Sequence, residues 1–175
     1  PKFGMIGRSR QADPEKGEWC PIFYRKEKLE VVSEGTFWLS DTPENEGTMS
    51  WGNNIPRICT WGRFKDKKTG RTFFLYNTHF DHQSQASREK SAVLCNERIA
   101  ARKPSNEATI FMGDLNAGES NLANKTLGKS LRDTFGELHP KVKLRGTFGG
   151  WKGRADGNRI DYIYVTPKGW KIVEA

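Results

Sequence analysis

Three segments of this sequence carry polar side chains at places where a buried strand has no need of them. They are Tyr76–His82 (YNTHFDH), Gly113–Asn116 (GDLN) and Arg159–Tyr162 (RIDY). The ends of strands commonly meet at one rim of a sheet, where ligands collect. The pattern therefore predicts that side chains from all three segments line one polar site.

The GDLN segment places a carboxylate and an amide two residues apart, after a glycine that allows a sharp turn. Asp114 would supply negative charge to a metal-bound or attacking water, and the amide of Asn116 can donate to a phosphate oxygen. In the alternative interpretation both side chains only cap a turn through hydrogen bonds to the backbone. For such a pair taken alone, the turn cap is the commoner role.

His79 is the candidate acid or base, because an imidazole titrates near pH 6.5. The alternative is a histidine with a purely structural role. The spacing of His79, Asp81 and His82 also suggests a zinc or iron site, since imidazole and carboxylate are ordinary ligands of both metals. Residues 79 and 82 face opposite sides of a strand, however, so shared ligation would require a turn between them.

Three further charged residues each have two interpretations. Glu18 is either a solvated charge at a strand end or a carboxylate that orients a histidine. Arg57 is either a surface charge or a guanidinium that faces a phosphate. Asp161 has the same two interpretations as Glu18, but it lies in an otherwise apolar strand, where a buried carboxylate needs a partner. The sequence alone does not decide between these roles.

The elements that must position these residues are mostly short β-rich runs separated by glycine, proline and charged turns. The predicted strands are Trp19–Tyr24, Leu29–Val32, Thr36–Leu39, Ile58–Phe64, Arg71–Phe80, Thr109–Met112 and Arg159–Val165. Two of them, Ile58–Phe64 and Arg71–Phe80, are expected to form an antiparallel hairpin. The predicted helices are Ser84–Arg102 and Ser120–Leu131, and residues 40–56 form a long irregular loop.

Length and composition limit the fold class. The chain has 175 residues, 35% of them hydrophobic, and 18 glycines, which suits one folded domain over residues 1–175. No run approaches the roughly 18 apolar residues of a membrane-spanning helix. Hairpins with helices packed over them favour an α/β (α+β) sandwich over a doubly wound parallel sheet.

Cysteine usage and charge are less decisive. The chain has three cysteines, Cys20, Cys59 and Cys95, and none of them form a CxxC pair. The odd number disfavours a complete disulfide framework, and the spacing disfavours a cysteine-rich zinc site. One Cys20–Cys59 bridge stays open. Lysine and arginine number 29 against 21 acidic residues, a net charge of +8, which favours a polyanionic partner. The alternative is a solvated lysine-rich surface, as in the turn at residues 65–71.

Taken in order, these motifs resemble the endonuclease/exonuclease/phosphatase superfamily. The segments that carry the resemblance span nearly the whole chain: Gly17–Arg25, Gly35–Ser40, Pro56–Trp61, Asn77–His79, Gly113–Ala117 and Arg159–Ile163. The resemblance implies a two-sheet α/β sandwich flanked by helices. It also implies hydrolysis of a phosphoester by water that Mg²⁺ or Mn²⁺ activates.

The resemblance also assigns expected roles. Asp114 would orient or deprotonate the attacking water, and Asn116 would hold the scissile phosphate and help to position the metal. His79 would be the acid/base histidine, oriented by Glu18. Asp161 would orient a second catalytic histidine.

Arg57 looks like the family's arginine near the phosphate. The family's principal metal ligand is a glutamate that precedes the position of Gly17, and residues 1–16 contain no such motif. Family members also end with a Ser-Asp-His segment, which is absent before Ala175; His139 is no substitute, because it precedes Asp161. The sequence therefore predicts a fold incomplete at both ends, which alone binds metal weakly and is nearly inactive.

The substrate stays open at this stage. Nuclease action fits the basic charge, whereas phosphatase or phospholipid phosphodiesterase action fits the loops at residues 40–56 and 146–151, which would enclose a smaller head group. A catalytically inactive module that binds nucleic acid or protein is the alternative from another class. The expected partner is a phosphoester substrate, and nucleic acid is one of the candidates. The protein is expected to be a monomer without a transmembrane segment. A secreted or periplasmic location is left open.

Overall fold

The chain folds as two β-sheets, with helices on one face of the larger sheet. The computed structural model describes residues 1–142, 146–154 and 156–175. The strands are β1 (Phe3–Ile6), β2 (Ile22–Arg25), β3 (Leu29–Trp38), β4 (Ile58–Asp66), β5 (Thr72–His79), β6 (Ala108–Asp114), β7 (Arg132–Asp133) and β8 (Asp161–Val165). The helices are α1 (Gln85–Ala101), α2 (Leu122–Leu127) and α3 (Thr134–Leu138).

The larger sheet is mixed and has the strand order β3-β4-β5-β6-β8-β7. Neighbouring strands are antiparallel except for β5 and β6, which are parallel and are joined through α1. A parallel pair needs such a crossover, because the chain must return to the same end of the sheet. The expected α/β class and the β4–β5 hairpin are confirmed.

The two faces of the larger sheet bury different partners. On one face, Phe74 and Tyr76 of β5 pack with Ala92, Cys95 and Ile99 of α1 in the main core. On the other face, Phe64 packs against Ile6 and Ile22 of the two-stranded sheet β1–β2. The alternation of side chains along each strand separates the two clusters. The result is the predicted two-sheet arrangement with a helical layer.

Helix α1 follows its sequence signals closely. The Ser84 Oγ accepts a hydrogen bond from the backbone N–H of Ser87 at 3.1 Å, which caps the N-terminus. The helix ends at Ala101, two residues before Lys103-Pro104. None of the three helices in the described part of the chain combines the length and apolar character needed to cross a bilayer.

Several predicted elements have different bounds. The predicted strands Leu29–Val32 and Thr36–Leu39 are one strand, β3, with an irregularity in register between Val31 and Ser33. The predicted helix Ser120–Leu131 is only Leu122–Leu127, because Asn121 caps its start and Gly128 its end. Strand β2 begins at Ile22 rather than Trp19, directly after a proline that has no N–H to donate.

The structure also contains elements that the sequence did not predict. They are β1, the two-residue strand β7 and the short helix α3, which are too short for a clear periodic pattern. The three cysteines are free and buried, so the Cys20–Cys59 bridge that the sequence left open is absent.

Candidate active site

The polar rim of the larger sheet is formed by the ends of three strands. The parallel register of β5 and β6 places His79 opposite Asp114, and the antiparallel register of β6 and β8 places Asp114 opposite Asp161. Directly opposed residues project to the same face of a sheet. Three residues that are distant in sequence are therefore neighbours.

His79 lies between two carboxylates. Its Nδ1 is 3.6 Å from Glu18 Oε2, and its Nε2 is 3.6 Å from Asp114 Oδ2. Burial lowers the pKa of His79 below its usual value, and the charge of Arg57 lowers this pKa further, against the two acids. The imidazole is therefore neutral near pH 7, the form that can accept a proton. The Glu18 carboxylate is shared between His79 and Arg10, because Arg10 Nη1 also donates to its Oε2, at 2.6 Å.

The two oxygens of Asp114 have different surroundings. Oδ1 accepts a hydrogen bond from the backbone N–H of Asn116 at 2.8 Å, whereas Oδ2 faces His79. Both roles considered for this residue are thus compatible, since one oxygen closes the turn and the other points at the histidine. Burial raises the pKa of Asp114, and the neighbouring Asp161 charge adds to this effect.

The turn after Asp114 is fixed by close backbone packing. Gly113 has φ 147°, and a Cβ at this position would lie 1.9 Å from the carbonyl oxygen of Thr78. Asn116 adopts φ 47° and donates from Nδ2 to the carbonyl oxygen of Phe80 at 3.0 Å. The second hydrogen of this amide nitrogen and the amide oxygen are the groups with which Asn116 can address a ligand.

Arg57 is buried, and therefore is not the surface charge that one interpretation allowed. It is 3% exposed; Nε lies 3.4 Å from Asp81 Oδ2, and Nη2 lies 2.9 Å from His82 Nδ1. Nη1 is buried without a hydrogen-bond partner in the described part of the chain. A buried guanidinium with an unpaired N–H group is suited to an anionic oxygen.

Asp81 and His82 have roles that sequence analysis did not assign. Asp81 is fully buried, and its Oδ1 accepts hydrogen bonds from the backbone N–H groups of Gln83 (2.9 Å) and Ser84 (2.7 Å). It therefore ties the start of α1 to Arg57. The signal was a polar Asp-X-X-Ser pattern at a helix start, which is typical of a local side-chain cap.

The suggested His79/His82 metal pair is wrong, because His82 turns to Arg57 while His79 lies beside Asp114. His139 Nε2 lies 3.0 Å from the carbonyl oxygen of Ala175. In the described part of the chain, neither His82 nor His139 forms an ion pair with Asp161.

Asp161 is exposed, which agrees with the interpretation as a solvated charge and not with a buried carboxylate. Strand β8 turns Tyr162 and Tyr164 into the core and Asp161 to the opposite face. The backbone N–H of Asp161 donates to Thr147 Oγ1 at 3.1 Å, and this hydrogen bond attaches the loop at residues 146–151 to the rim.

Asp114 and Asp161 border an open depression of about 560 Å³. Its wall is formed by Asn77, Met112, Gly113, Thr134, Phe135, Gly146, Thr147, Arg159, Tyr162, Ile163 and Ala175. The loop at 146–151 thus lines the depression through Gly146 and Thr147, while Phe148 and Trp151 are exposed. The volume is in the range of small-molecule sites.

A divalent cation would find part of a ligand set at this rim. Asp114 and Asp161 face each other, and their repulsion would be relieved by positive charge. Within the described ranges, no three His, Cys, Asp or Glu side chains converge to form a complete set. Mg²⁺ typically takes one or two carboxylates and completes its shell with water and substrate phosphate. The donors present therefore suit Mg²⁺ or Mn²⁺ held jointly with a substrate better than tightly bound zinc.

Comparison with known proteins adds independent information. A model of the "Endonuclease/Exonuclease/phosphatase family" matches residues 38–175. An uncharacterized protein of Acanthamoeba polyphaga mimivirus is 33% identical over 136 residues, and the match covers 74% of this chain and 49% of that protein.

Solved structures resemble the chain over almost its full length. An endonuclease/exonuclease/phosphatase of Bacteroides vulgatus superposes with TM-score 0.85 at 34% identity, covering 95% of this chain and 66% of that one. A mannosyl-6-phosphatase of Bacteroides thetaiotaomicron gives TM-score 0.86 at 35% identity, with 96% and 64% covered. The chain thus spans about half the length of the curated relative and just under two thirds of these two structures.

Proposed function

Because this chain belongs to the endonuclease/exonuclease/phosphatase family, we propose that it forms a catalytic face that hydrolyses a phosphoester with activated water. The observation that carries the proposal is the placement of His79 within 3.6 Å of both Glu18 and Asp114, at a rim that also holds Asp161. Proton transfer to and from a water molecule requires carboxylates and a neutral histidine close to the same point, and the rim provides both.

In the proposed mechanism Asp114 and His79 handle protons as a coupled pair. Asp114 Oδ2 orients the attacking water and accepts its proton, helped by the raised pKa of this carboxyl group. His79, 3.6 Å away and neutral, exchanges that proton with solvent or the leaving group, and Glu18 orients its ring. Two groups this close share macroscopic pKa values.

Arg57 and Asn116 are the proposed phosphate-binding groups. The second amide hydrogen of Asn116 would donate to a phosphoryl oxygen, while the buried Arg57 would contribute its positive charge, which acts on His79 and Asp114 at the rim. Donors that are fixed before the reaction stabilise the charge that develops in the transition state. Hydrogen bonds to His82, Asp81 and Phe80 fix both side chains in this way.

We further propose that Mg²⁺ or Mn²⁺ binds at Asp114 and Asn116, with Asp161 facing them. Such an ion lowers the pKa of a bound water and neutralises phosphoryl charge. The rest of its coordination would come from water and substrate.

The proposed substrate is a small phosphoester. Two observations support this choice over a polymer: the depression beside Asp114 has the volume of a small-molecule site, and one relative with 35% identity is a mannosyl-6-phosphatase. Nucleic acid is the alternative substrate, and a steep salt dependence of binding would reveal it.

The test is hydrolysis of p-nitrophenyl phosphate and bis-p-nitrophenyl phosphate with Mg²⁺, Mn²⁺ or EDTA. Where the reading frame is longer, the test uses the full-length protein, because this chain alone is expected to be nearly inactive. We expect metal-dependent turnover that Asp114→Asn reduces by about 10²-fold or more. The control Glu27→Gln, in the turn before β3 at the opposite end of the sheet, should keep full activity. Absence of hydrolysis with every metal would favour the inactive binding module.

A further inference from the structure

A second cavity lies on the helical face of the larger sheet, between β3–β5 and the C-terminal end of α1. Its volume is about 440 Å³, and it shares no lining residue with the depression beside Asp114. Four aromatic residues, three basic residues and one acid surround it: Phe37, Trp61, Phe74, Tyr76, Arg98, Arg102, Lys103 and Glu44. Nothing in the proposed hydrolysis uses these side chains.

The aromatic residues form a continuous wall. The ring centroids of Trp61 and Phe74 are 6.2 Å apart, and those of Phe74 and Tyr76 are 6.4 Å apart. Gly35 on β3 permits this arrangement, because a Cβ there would lie 2.8 Å from Trp61 Nε1. The Trp61 and Phe74 rings are tilted by 40°, and Phe74 is buried, so the half-buried Trp61 offers the face on which a planar ring could stack.

Two donors in this wall have no partner. Tyr76 is only 3% exposed, yet within the described part of the chain its hydroxyl makes no hydrogen bond, and neither does Trp61 Nε1. By contrast, the indole N–H groups of Trp38, Trp51 and Trp170 each donate to an oxygen. Both atoms are open to the cavity, so each can donate to a ligand that fills it.

The charge around the cavity is positive. Arg98 lies 5.2 Å from the centre of the Phe37 ring and pairs with Glu44 at 2.5 Å, but the Glu44 side chain is 71% exposed, so that this ion pair is weak. Arg102 donates to the carbonyl oxygens of Ile99 and Glu107, while its Nε is buried and unpaired in the described residues. Lys103 adds a third cation. The cavity therefore suits an anion.

We propose that this cavity is a second ligand site, which binds a planar aromatic anion of the size of a mononucleotide. The ring would stack on Trp61, and the anionic group would face Arg98, Lys103 and the Tyr76 hydroxyl. A mononucleotide and an aromatic carboxylate share this chemistry. The site is independent of the proposed hydrolysis.

The experiment is a titration with AMP in EDTA, followed through the indole N–H resonances of the protein, with Trp61 assigned by Trp61→Phe. We expect saturable movement of the Trp61 resonance by AMP and weaker binding of adenosine and of inorganic phosphate alone. A parallel titration with indole-3-acetate shows whether the phosphate or the carboxylate form is preferred. An immobile Trp61 resonance, or adenosine binding as tightly as AMP, would overturn the proposal.

Variants keep the test specific. The double change Tyr76→Phe and Arg98→Gln retains the aromatic wall and should raise the AMP Kd by about tenfold or more, equivalent to about 1.4 kcal/mol. Lys125→Gln on α2 is the matched control and should leave the Kd unchanged. Equal affinity in the double variant and the control, with folded spectra for both, would refute the assignment.

Discussion

At the scale of single residues, His79 is the group whose surroundings set the pH response. Burial and Arg57 lower its pKa, while Asp114 and Glu18 act in the opposite direction. Removing Glu18 therefore removes a group that favours the imidazolium. The carboxylate lies 3.6 Å from Nδ1, too far for a direct hydrogen bond but close enough for a charge effect.

We predict that the His79 ring titrates below about 6.5, the ordinary histidine value, and that Glu18→Gln lowers this pKa further. If neutral His79 is the active form, the acid limb of the pH–rate profile moves in the same direction. The measurement is an NMR titration of the ring, assigned by His79→Gln. Glu30→Gln, on β3 at the end of the sheet away from the rim, is the control. An unchanged or higher His79 pKa in Glu18→Gln would contradict the explanation.

The charged form of Asp114 is needed for the proposed activity but lowers the stability of the folded protein. A carboxyl group whose folded pKa is raised binds a proton more readily in the folded state than in the unfolded state. Its effect on the free energy of unfolding therefore becomes unfavourable as pH rises through the unfolded value of about 3.9 and the higher folded value. At pH 7 the charged form is a cost that an amide avoids.

We therefore predict that Asp114→Asn increases the free energy of unfolding at pH 7, by no more than about 1 kcal/mol, while it abolishes most hydrolysis. The asparagine Oδ1 can still accept from Asn116 N–H, so the turn is retained. Urea denaturation of both proteins at pH 7 and at pH 3 provides the comparison, and the gain should disappear at pH 3. A destabilised variant at pH 7 would show that charge is not the dominant effect.

At the scale of elements, the rim depends on how closely β5 and β6 approach at Gly113. A side chain there would combine a strained φ of 147° with a Cβ 1.9 Å from a backbone oxygen of Thr78. Both the new Cβ and the Thr78 oxygen are attached to the backbone, so neither can move aside as the end of a flexible side chain would. The two strands would have to separate at the point where they present His79 and Asp114.

We predict that Gly113→Ala lowers the free energy of unfolding by about 2 kcal/mol or more and impairs catalysis with it. Gly118→Ala is the matched control, because a Cβ at Gly118 meets no atom within 4 Å. The control should stay within about 0.5 kcal/mol of the parent protein. Thermal denaturation of the two variants separates the outcomes, and equal stability would rule out a tight approach at Gly113.

The same elements show what the sequence can predict. The alternating pattern of β5 and the capping residue of α1 depend on local spacing, so both elements were found within a residue or two. The exposure of Asp161 was left undecided because Ile163, on the same face of β8, is also exposed, so that the apolar pattern did not mark the buried side. The burial of Arg57 was undecidable because its partners Asp81 and His82 are 24 and 25 residues away in sequence.

At the scale of the whole molecule, the net charge of +8 could act in two ways. A basic surface that holds nucleic acid releases counterions, so binding weakens steeply with salt. A small substrate is bound by a few local groups, which for this chain are Arg57 and Asn116 at the rim. Much of the excess charge lies elsewhere, for example at Lys65 and Lys68 near the β4–β5 turn, at the end of the sheet away from the rim.

The small-substrate proposal therefore predicts that kcat/KM for p-nitrophenyl phosphate changes by less than about threefold between 50 and 200 mM salt, whereas a nuclease that contacts 6–10 phosphates would lose about 10³–10⁵-fold in affinity. The double change Lys65→Gln and Lys68→Gln lowers the net charge by two without touching the rim. It should leave hydrolysis of the small substrate unchanged. A steep salt dependence of binding to single-stranded DNA, reduced in this variant, would instead assign the basic surface to nucleic acid, and cleavage of that DNA would make the protein a nuclease.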